Sequence, residues 1–535
     1  LTVAYSRHLV DNLTLVGTSA MTATSDMPNI LLFMTDQLTA RVLASYGGSV
    51  CKTPELDRVA ATGTVFEQAY CAYPLCAPSR FAMMSGRLAS RIGAWDNGSE
   101  FPAAIPTFAH YLRARGYYTC ISGKMHFVGP DQHHGFEERL TTEIYPADFS
   151  WTPAPEERDA ANRFGAGVST VETVLDAGPM ARTMQIDYDD DVVHRAVREI
   201  YTRARSTDKR PFLLTVSLTQ PHDPYVTTQH FWDLYDGTEI DPPEEPPVPL
   251  RDRDPHSRML HGHYGQDKTE IDAEATARAR RGYYGMISHI DNLFGRLLDT
   301  LAETGMTENT VVIFASDHGD MLGERGMWFK KTLFEPAIRV PLVIRGPGLP
   351  TGRIATPVSL LDLLPTLVDL SGAPEGTVRT PFDGQSLVPI LRGRNGHGQV
   401  MAEHLDGGTD APRVMLRDGC LKLVYSRAYP PLLFNLDDDP NEMNDLSSHP
   451  HAKDDLICLV EQADRIWNLD ALAEEKRASQ IARSVVNEAL QLGRRRPWDY
   501  APGNLAQDQG YVRAGDTFPD VERRGYLPAA RESPD

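Results

Sequence analysis

Apolar runs recur along the chain at wide intervals, and each stops abruptly at a polar cluster. Asn29 to Met34 ends in Thr35-Asp36-Gln37, and Val311 to Ala315 ends in Ser316-Asp317-His318-Gly319-Asp320. Phe212 to Leu218 leads into Gln220-Pro221-His222-Asp223-Pro224, and Tyr117 to Ile121 into Gly123-Lys124-Met125-His126. Runs that are apolar throughout, rather than alternating, predict strands buried on both faces. Between them, Ala275 to Glu303 places Ile287, Ile290, Leu293, Leu297, Leu298 and Leu301 at helical spacing. The pattern is that of an open α/β sheet. In such sheets ligands bind beyond the carboxyl ends of the strands, so remote polar clusters can deliver their side chains to one place.

Punctuation further along the chain divides it. Asp241 to Pro255 is crowded with proline and charge and reads as an exposed loop. A helical pattern over Leu360 to Leu370 precedes a linker-like segment, Ser371 to Gly384. Strand-like pieces at Val414 to Leu416 and Leu421 to Tyr425, with a turn at Asp437-Asp438-Asp439-Pro440, predict a small α+β domain that closes near Trp467. Helical composition returns over Ala471 to Leu492 until Arg494-Arg495-Arg496-Pro497 breaks it. The expected organisation is a leader or disordered tail over 1–27, a catalytic α/β domain over 28–380, the small domain over 381–470, and a helix with an extended tail over 471–535. That tail is too polar to form its own core and is expected to pack on a neighbour.

Composition narrows the class. At 535 residues and 41% hydrophobic content the chain supports one large core and a smaller one. A formal net charge of -20, from 73 acidic and 53 basic residues, argues against nucleic acid or an anionic membrane as partner. An anionic substrate would then require cations concentrated at its site. The six cysteines have neither metal-finger spacing nor the density of a disulfide framework. No segment reads as a signal peptide or a membrane span, and a cytoplasmic location is expected.

The most specific stretch is Cys76-Ala77-Pro78-Ser79-Arg80, continuing to Ser85-Gly86-Arg87. It resembles the signature of type I sulfatases, in which a formylglycine-generating enzyme oxidises the cysteine during maturation. The resemblance explains the chemistry: a thiolate that attacked sulfate would be left as a stable adduct, whereas an aldehyde hydrate attacks through one oxygen and expels the anion through the other. The strand-end residues Asp36, Asp317 and His318 are candidate metal ligands, with oxidised Cys76 as the fourth. Gln37 stands where many sulfatases carry a second aspartate, and His318 where many carry asparagine. An imidazole in place of an amide oxygen tilts selection of the single divalent ion from calcium or magnesium towards manganese.

The cation cluster is assembled from Arg80, on the same helical face as Cys76, with Lys124, His126, His222 and Lys330. By resemblance Arg80 supports the hydrate, Lys124 and Lys330 bind sulfate oxygens, His222 protonates the leaving alkoxide, and His126 takes a proton from the hydrate. Further stretches, among them Ser122 to Gln132, Ile144 to Phe149, Gly319 to Gly326 and Pro497-Trp498-Asp499-Tyr500, are similar to the choline sulfatase branch of that family. The similarity runs from about Pro28 to Tyr500. It implies an alkaline-phosphatase-like core with a mostly parallel central sheet flanked by helices, and a homo-oligomer, dimer or tetramer, whose tails cross between subunits. Trp151, Trp498, Asp499 and Tyr500 are the candidate contacts for the alcohol part of a small anionic ester. After Trp151-Thr152-Pro153, however, the aromatic insertion of that branch is replaced by Ala154 to Phe164, with Arg158 and Arg163. The expected reaction is hydrolysis of a small sulfate monoester, choline sulfate or a related alkyl sulfate. The alternatives are a phosphonate monoester or phosphodiester hydrolase on the same scaffold and, from a different class, a non-catalytic ligand-binding homologue.

Overall fold

The computed structural model describes residues 27–153, 169–394, 396, 398–494, 497–502 and 522. The leader expected over 1–27 therefore lies outside the described residues save for Met27, as does the substituted stretch Ala154 to Phe164 with Arg158 and Arg163.

Eight strands form the central sheet: β1 (Asn29–Thr35), β2 (Thr64–Phe66), β3 (Tyr118–Gly123), β4 (Glu138–Arg139), β5 (Phe212–Ser217), β6 (Thr310–Ser316), β7 (Leu342–Arg345) and β8 (Gly352–Ile354). Their order is β8-β2-β7-β6-β1-β5-β3-β4. The five strands from β6 to β4 run parallel, and β7 enters antiparallel between β6 and β2. Each apolar run predicted above is one of the inner strands, because only buried strands can be apolar on both faces.

Alternation along these strands sorts side chains into two cores. Ile30, Leu32, Met34, Val311, Ile313 and Leu213 face the layer that contains helix α1 (Cys76–Ser85) and, further along the chain, Leu363, Leu364 and Leu367. Leu31, Phe33, Val312, Phe314, Leu214 and Val216 face the opposite layer, built on α2 (Met184–Arg205) and α3 (Ala273–Glu303). Each such side chain taken fully out of water stabilises the fold by about 1.5–3 kcal/mol. Where α3 crosses the segment that carries His222, a Cβ on Gly282 would lie 2.1 Å from the carbonyl oxygen of Tyr225. The missing side chain is what lets the helix approach, and it brings Tyr283 Oη to 2.6 Å from the carbonyl oxygen of Gln37.

The small domain is an antiparallel meander of β9 (Gln399–His404), β10 (Arg413–Asp418), β11 (Leu421–Tyr425) and β12 (Leu432–Asn435), covered by α4 (Lys453–Ile466). Buried Lys422 joins it to the main core through Glu335 at 2.9 Å and holds Glu442 of its own domain at 2.7 Å. Two sequence expectations need correction. Asp241 to Pro255 is not wholly exposed, since Glu245 is buried against Arg41 at 2.8 Å. The linker is also anchored: the Asp383 amide donates to the Gly86 carbonyl at 2.7 Å, and its carboxylate accepts from Leu88 N at 2.8 Å.

Helix α5 (Leu469–Leu490) follows, tied to the main domain by Arg483, whose two terminal nitrogens donate to Asp96 at 2.7 and 2.8 Å. Residues 497–502 then pack on their own chain. Trp498 meets Phe149 edge to face, Asp499 accepts from Ala147 N at 3.0 Å, and Tyr500 Oη donates to the Arg139 carbonyl at 3.0 Å.

Candidate active site

Register builds the centre. Thr35 on β1 pairs with Ser316 on β6, so the next residues, Asp36 and Asp317, leave the sheet side by side. Cys76 approaches from α1, whose N-terminal end carries the partial positive charge that favours an anion. One carboxylate oxygen each from Asp36 and Asp317, the Cys76 sulfur and a His318 ring nitrogen lie within 4.8 Å of one another, all four residues buried. Cys76 Sγ is 3.8 Å from Asp36 Oδ1 and 3.4 Å from His318 Nε2.

Hydrogen bonds from the surrounding chain fix the orientation of these four side chains. Asp36 Oδ2 accepts from Arg80 Nη2 at 3.0 Å and from Lys124 Nζ, so Oδ1 is left for the centre. Asp317 Oδ2 accepts from Arg80 Nε at 2.8 Å, and Oδ1 from the amides of Gln37 and His318. Nδ1 of His318 lies 3.1 Å from the Gly319 carbonyl, an arrangement that fixes the tautomer and directs the Nε2 lone pair at the cluster. Two carboxylates and one imidazole so arranged fit a divalent cation.

Gln37 is not among these four. Its Oε1 accepts from Lys330 Nζ at 2.5 Å, while its Nε2 donates to Asp320 at 2.6 Å and Asp223 at 3.2 Å. Its amide oxygen, the atom expected to face a metal, holds Lys330, whose amine sits 3.5 Å from Cys76 Sγ.

Electrostatics separates the two carboxylates. Burial and the Cys76 sulfur push Asp36 up, yet Lys124, Lys330 and Arg80 together hold it well below the usual carboxylate range. For Asp317 burial prevails over the pull of Arg80, and its carboxyl is raised. Burial also opposes ionisation of the Cys76 thiol, but Lys124, Lys330 and His318 lower it far below an ordinary cysteine. The cation concentration required by the net charge is therefore present at this point of the molecule.

His126 is buried, its ring 4.7 Å from that of Tyr145 and 5.4 Å from that of Trp151, and it interacts with the Cys76 sulfur. Burial lowers its pKa and favours the neutral ring. His222 Nδ1 lies 2.8 Å from the Asp223 carbonyl. Of the expected alcohol contacts, Trp151 stands beside His126, whereas Trp498, Asp499 and Tyr500 make the packing contacts given above. Glu143 escaped sequence reasoning: it accepts from the amides of Met125 at 3.0 Å and His126 at 2.8 Å and is paired with Arg139 at 3.1 Å. It clamps the turn between Lys124 and His126, where His126 holds a φ of 61° that an L residue adopts at a cost of about 1–2 kcal/mol. Nothing local in Thr141-Thr142-Glu143 announces this, because the acceptor geometry comes from the fold.

Comparison with known proteins adds four findings. Residues 28–373 match the family model described as Sulfatase. The chain is 43% identical to the choline-sulfatase of Rhizobium meliloti (strain 1021) over 496 residues, covering 92% of this chain and 96% of that one. It is 31% identical to a sulfatase of Formosa agariphila over 366 residues, 65% of this chain and 70% of the other. Among solved structures, a phosphonate monoester hydrolase from Silicibacter pomeroyi superposes with a TM-score of 0.66 at 23% identity, over 82% of this chain and 94% of that one, a likeness of fold.

Proposed function

The chain belongs to the sulfatase family and is a sulfuric ester hydrolase, and on that premise we propose that it cleaves small alkyl sulfate monoesters through a formylglycine made from Cys76. The observation that carries this reading is the convergence on one sulfur atom of Lys330 at 3.5 Å, His318 at 3.4 Å and Asp36 at 3.8 Å. Asp36, Asp317, His318 and the modified Cys76 would hold a divalent ion, manganese by preference of the nitrogen ligand, which when bound would supply Lewis-acid polarisation.

The chain's own residues do the rest. Arg80 fixes both carboxylates through one guanidinium, so the ligand atoms need no reorganisation when substrate arrives. Lys124 and Lys330 place two ammonium groups where the transferring group's oxygens gather charge. With Nδ1 of His222 engaged by the Asp223 carbonyl, its Nε2 is the atom to protonate the departing alkoxide. His126, held neutral by burial beside Cys76, accepts the proton from the hydrate. Choline sulfate, named by the relative from Rhizobium, is the reference substrate of the class.

A homo-oligomer is the favoured assembly, supported by Ile481, Val485 and Leu492, exposed to 44%, 61% and 76% along and beyond α5. Six cysteines without a disulfide suit a reducing, cytoplasmic setting. Among the described residues no helix is long and apolar enough to cross a membrane.

The test pairs mass spectrometry of the Cys76 peptide with turnover of sulfate monoesters and phosphonate monoesters in parallel. Aldehyde at Cys76, faster sulfate turnover, and loss of activity in folded Cys76→Ala support the reading. A Cys76→Ala protein that retains a substantial fraction of the wild-type rate would refute the nucleophile. Preference for the phosphonate would transfer the chain to the alternative.

A further inference from the structure

Lys330 and Lys331 are neighbours in one turn, yet their amines serve different places. Lys330 Nζ meets Cys76 and Gln37, whereas Lys331 Nζ lies 2.8 Å from His263 Nε2. Around Lys331 the structure gathers an unusual set of buried nitrogen bases. His256 and His263 come from the helix Pro255–His263, His404 ends β9, and Arg413 begins β10. The rings of His256 and His404 are 5.2 Å apart, and both residues are almost wholly buried.

These groups lack acceptors. Among the described residues, His256 Nε2, both ring nitrogens of His404 and Arg413 Nε have no hydrogen-bond partner. Two carboxylates border the cluster and are shared with other donors: Asp254 accepts from Arg413 Nη1 at 3.2 Å and from Ser257, and Asp406 from Lys476 at 3.3 Å and from Gln480. A buried polar group without a partner costs about 1–3 kcal/mol, so several in one place indicate a missing acceptor. Gly407 stands against Lys331, where a Cβ would lie 3.4 Å from both Cε and Nζ, so the backbone of the segment after His404 runs alongside the amine. The Lys331 amide donates to the Pro74 carbonyl at 3.1 Å, two residues before Cys76, which places the cluster next to the reaction centre.

We propose that Lys331, with His404 and His256 behind it, forms a second subsite that takes a carboxylate borne by the alcohol part of the sulfate ester. The inference rests on the sulfate monoester reading and adds the class of alcohol. A quaternary ammonium finds no free carboxylate in this cluster, whereas a carboxylate finds an ammonium and unpartnered ring nitrogens.

The experiment compares three esters on formylglycine-bearing, metal-loaded protein: propyl sulfate, the sulfate ester of 3-hydroxypropanoate, and choline sulfate. The carboxylate ester is expected to exceed propyl sulfate in kcat/KM by tenfold or more, the scale of one charged hydrogen bond. Lys331→Met should lower the carboxylate-to-propyl ratio about tenfold, chiefly through KM, and His404→Phe should lower it in the same direction while keeping a ring against Tyr73. Propyl sulfate turnover reports whether either variant is folded. A wild-type preference for choline sulfate, or equal losses on all three esters in both variants, overturns the subsite and marks the cluster as a water-filled pocket only. Absence of turnover on every sulfate ester overturns the underlying reading as well.

Discussion

Arg80 Nε lies 2.8 Å from Asp317 Oδ2 while the Nη2 of the same guanidinium lies 3.0 Å from Asp36 Oδ2, with no solvent reaching any of the three side chains. Its remaining donor, Nη1, reaches the Lys124 carbonyl and Ser217 Oγ, both at 2.7 Å. One planar group thus ties together the ends of β1, β3, β5 and β6. A lysine offers a point charge and cannot span two carboxylates in this way. Arg80→Lys is expected to lower kcat by at least a hundredfold and to destabilise the fold by about 3–5 kcal/mol, because a buried carboxylate is left unpaired. Urea denaturation and steady-state kinetics check it, and a variant with near-normal midpoint and rate contradicts the bridging role.

Removing Asp317 or His318 takes away one of the few ligands proposed for the metal. Asp317→Ala and His318→Ala should purify with little bound metal, and any residual activity should depend on added manganese. Elemental analysis that finds both variants fully loaded would show that the ion sits elsewhere.

The tail holds the loop between Tyr145 and Trp151 by Trp498 on Phe149, the Asp499 carboxylate on Ala147 N and the Tyr500 hydroxyl on Arg139. Deleting residues from Pro497 onward should therefore raise KM several-fold with a smaller effect on kcat, since the loop that carries Trp151 loosens while the reacting groups stay in place. Sedimentation of the same truncated chain tests the oligomeric role. Unchanged KM and unchanged mass would leave the tail without a function in either.

Asp189 offers a pH test. It accepts from the amides of Thr219 and Gln220 in the loop that leads to His222, and burial nevertheless pushes its carboxyl up to about 7. An unfolded aspartate titrates near 3.9, so between roughly pH 4 and 7 the folded state keeps a proton that the unfolded state has lost. The stability from this group is full below about pH 4 and falls as pH rises through 7. Urea midpoints of wild type should drop between pH 5 and 8 more steeply than those of Asp189→Asn. Parallel curves would remove Asp189 from the account.

Much of this was legible from sequence where the signal is local. The apolar runs marked β1, β3, β5 and β6, and the polar residues just past them met at the site, because in a parallel sheet the register carries them there. Gln37 shows the limit of such reasoning. Its position after β1 suggests a ligand, but side-chain direction depends on Asp320, Asp223 and Lys330, residues remote in sequence. Glu143 and Lys331 were invisible for a related reason, since neither lies in a motif and each gains its role from what the fold sets beside it. Asp499 was recognisable as an acid near aromatic residues, yet its carboxylate caps a backbone amide.

The Cys76 side chain is 1% exposed, and 242 residues separate it from His318, which closes over it. A modifying enzyme cannot grip a side chain so enclosed, so the proposed oxidation has to precede final folding. Translation at about 5–20 residues per second leaves roughly 12–50 seconds between the emergence of Cys76 and that of His318. On the proposed mechanism, chain that folds before the oxidation would keep its thiol, and the active fraction would follow the order of these two events.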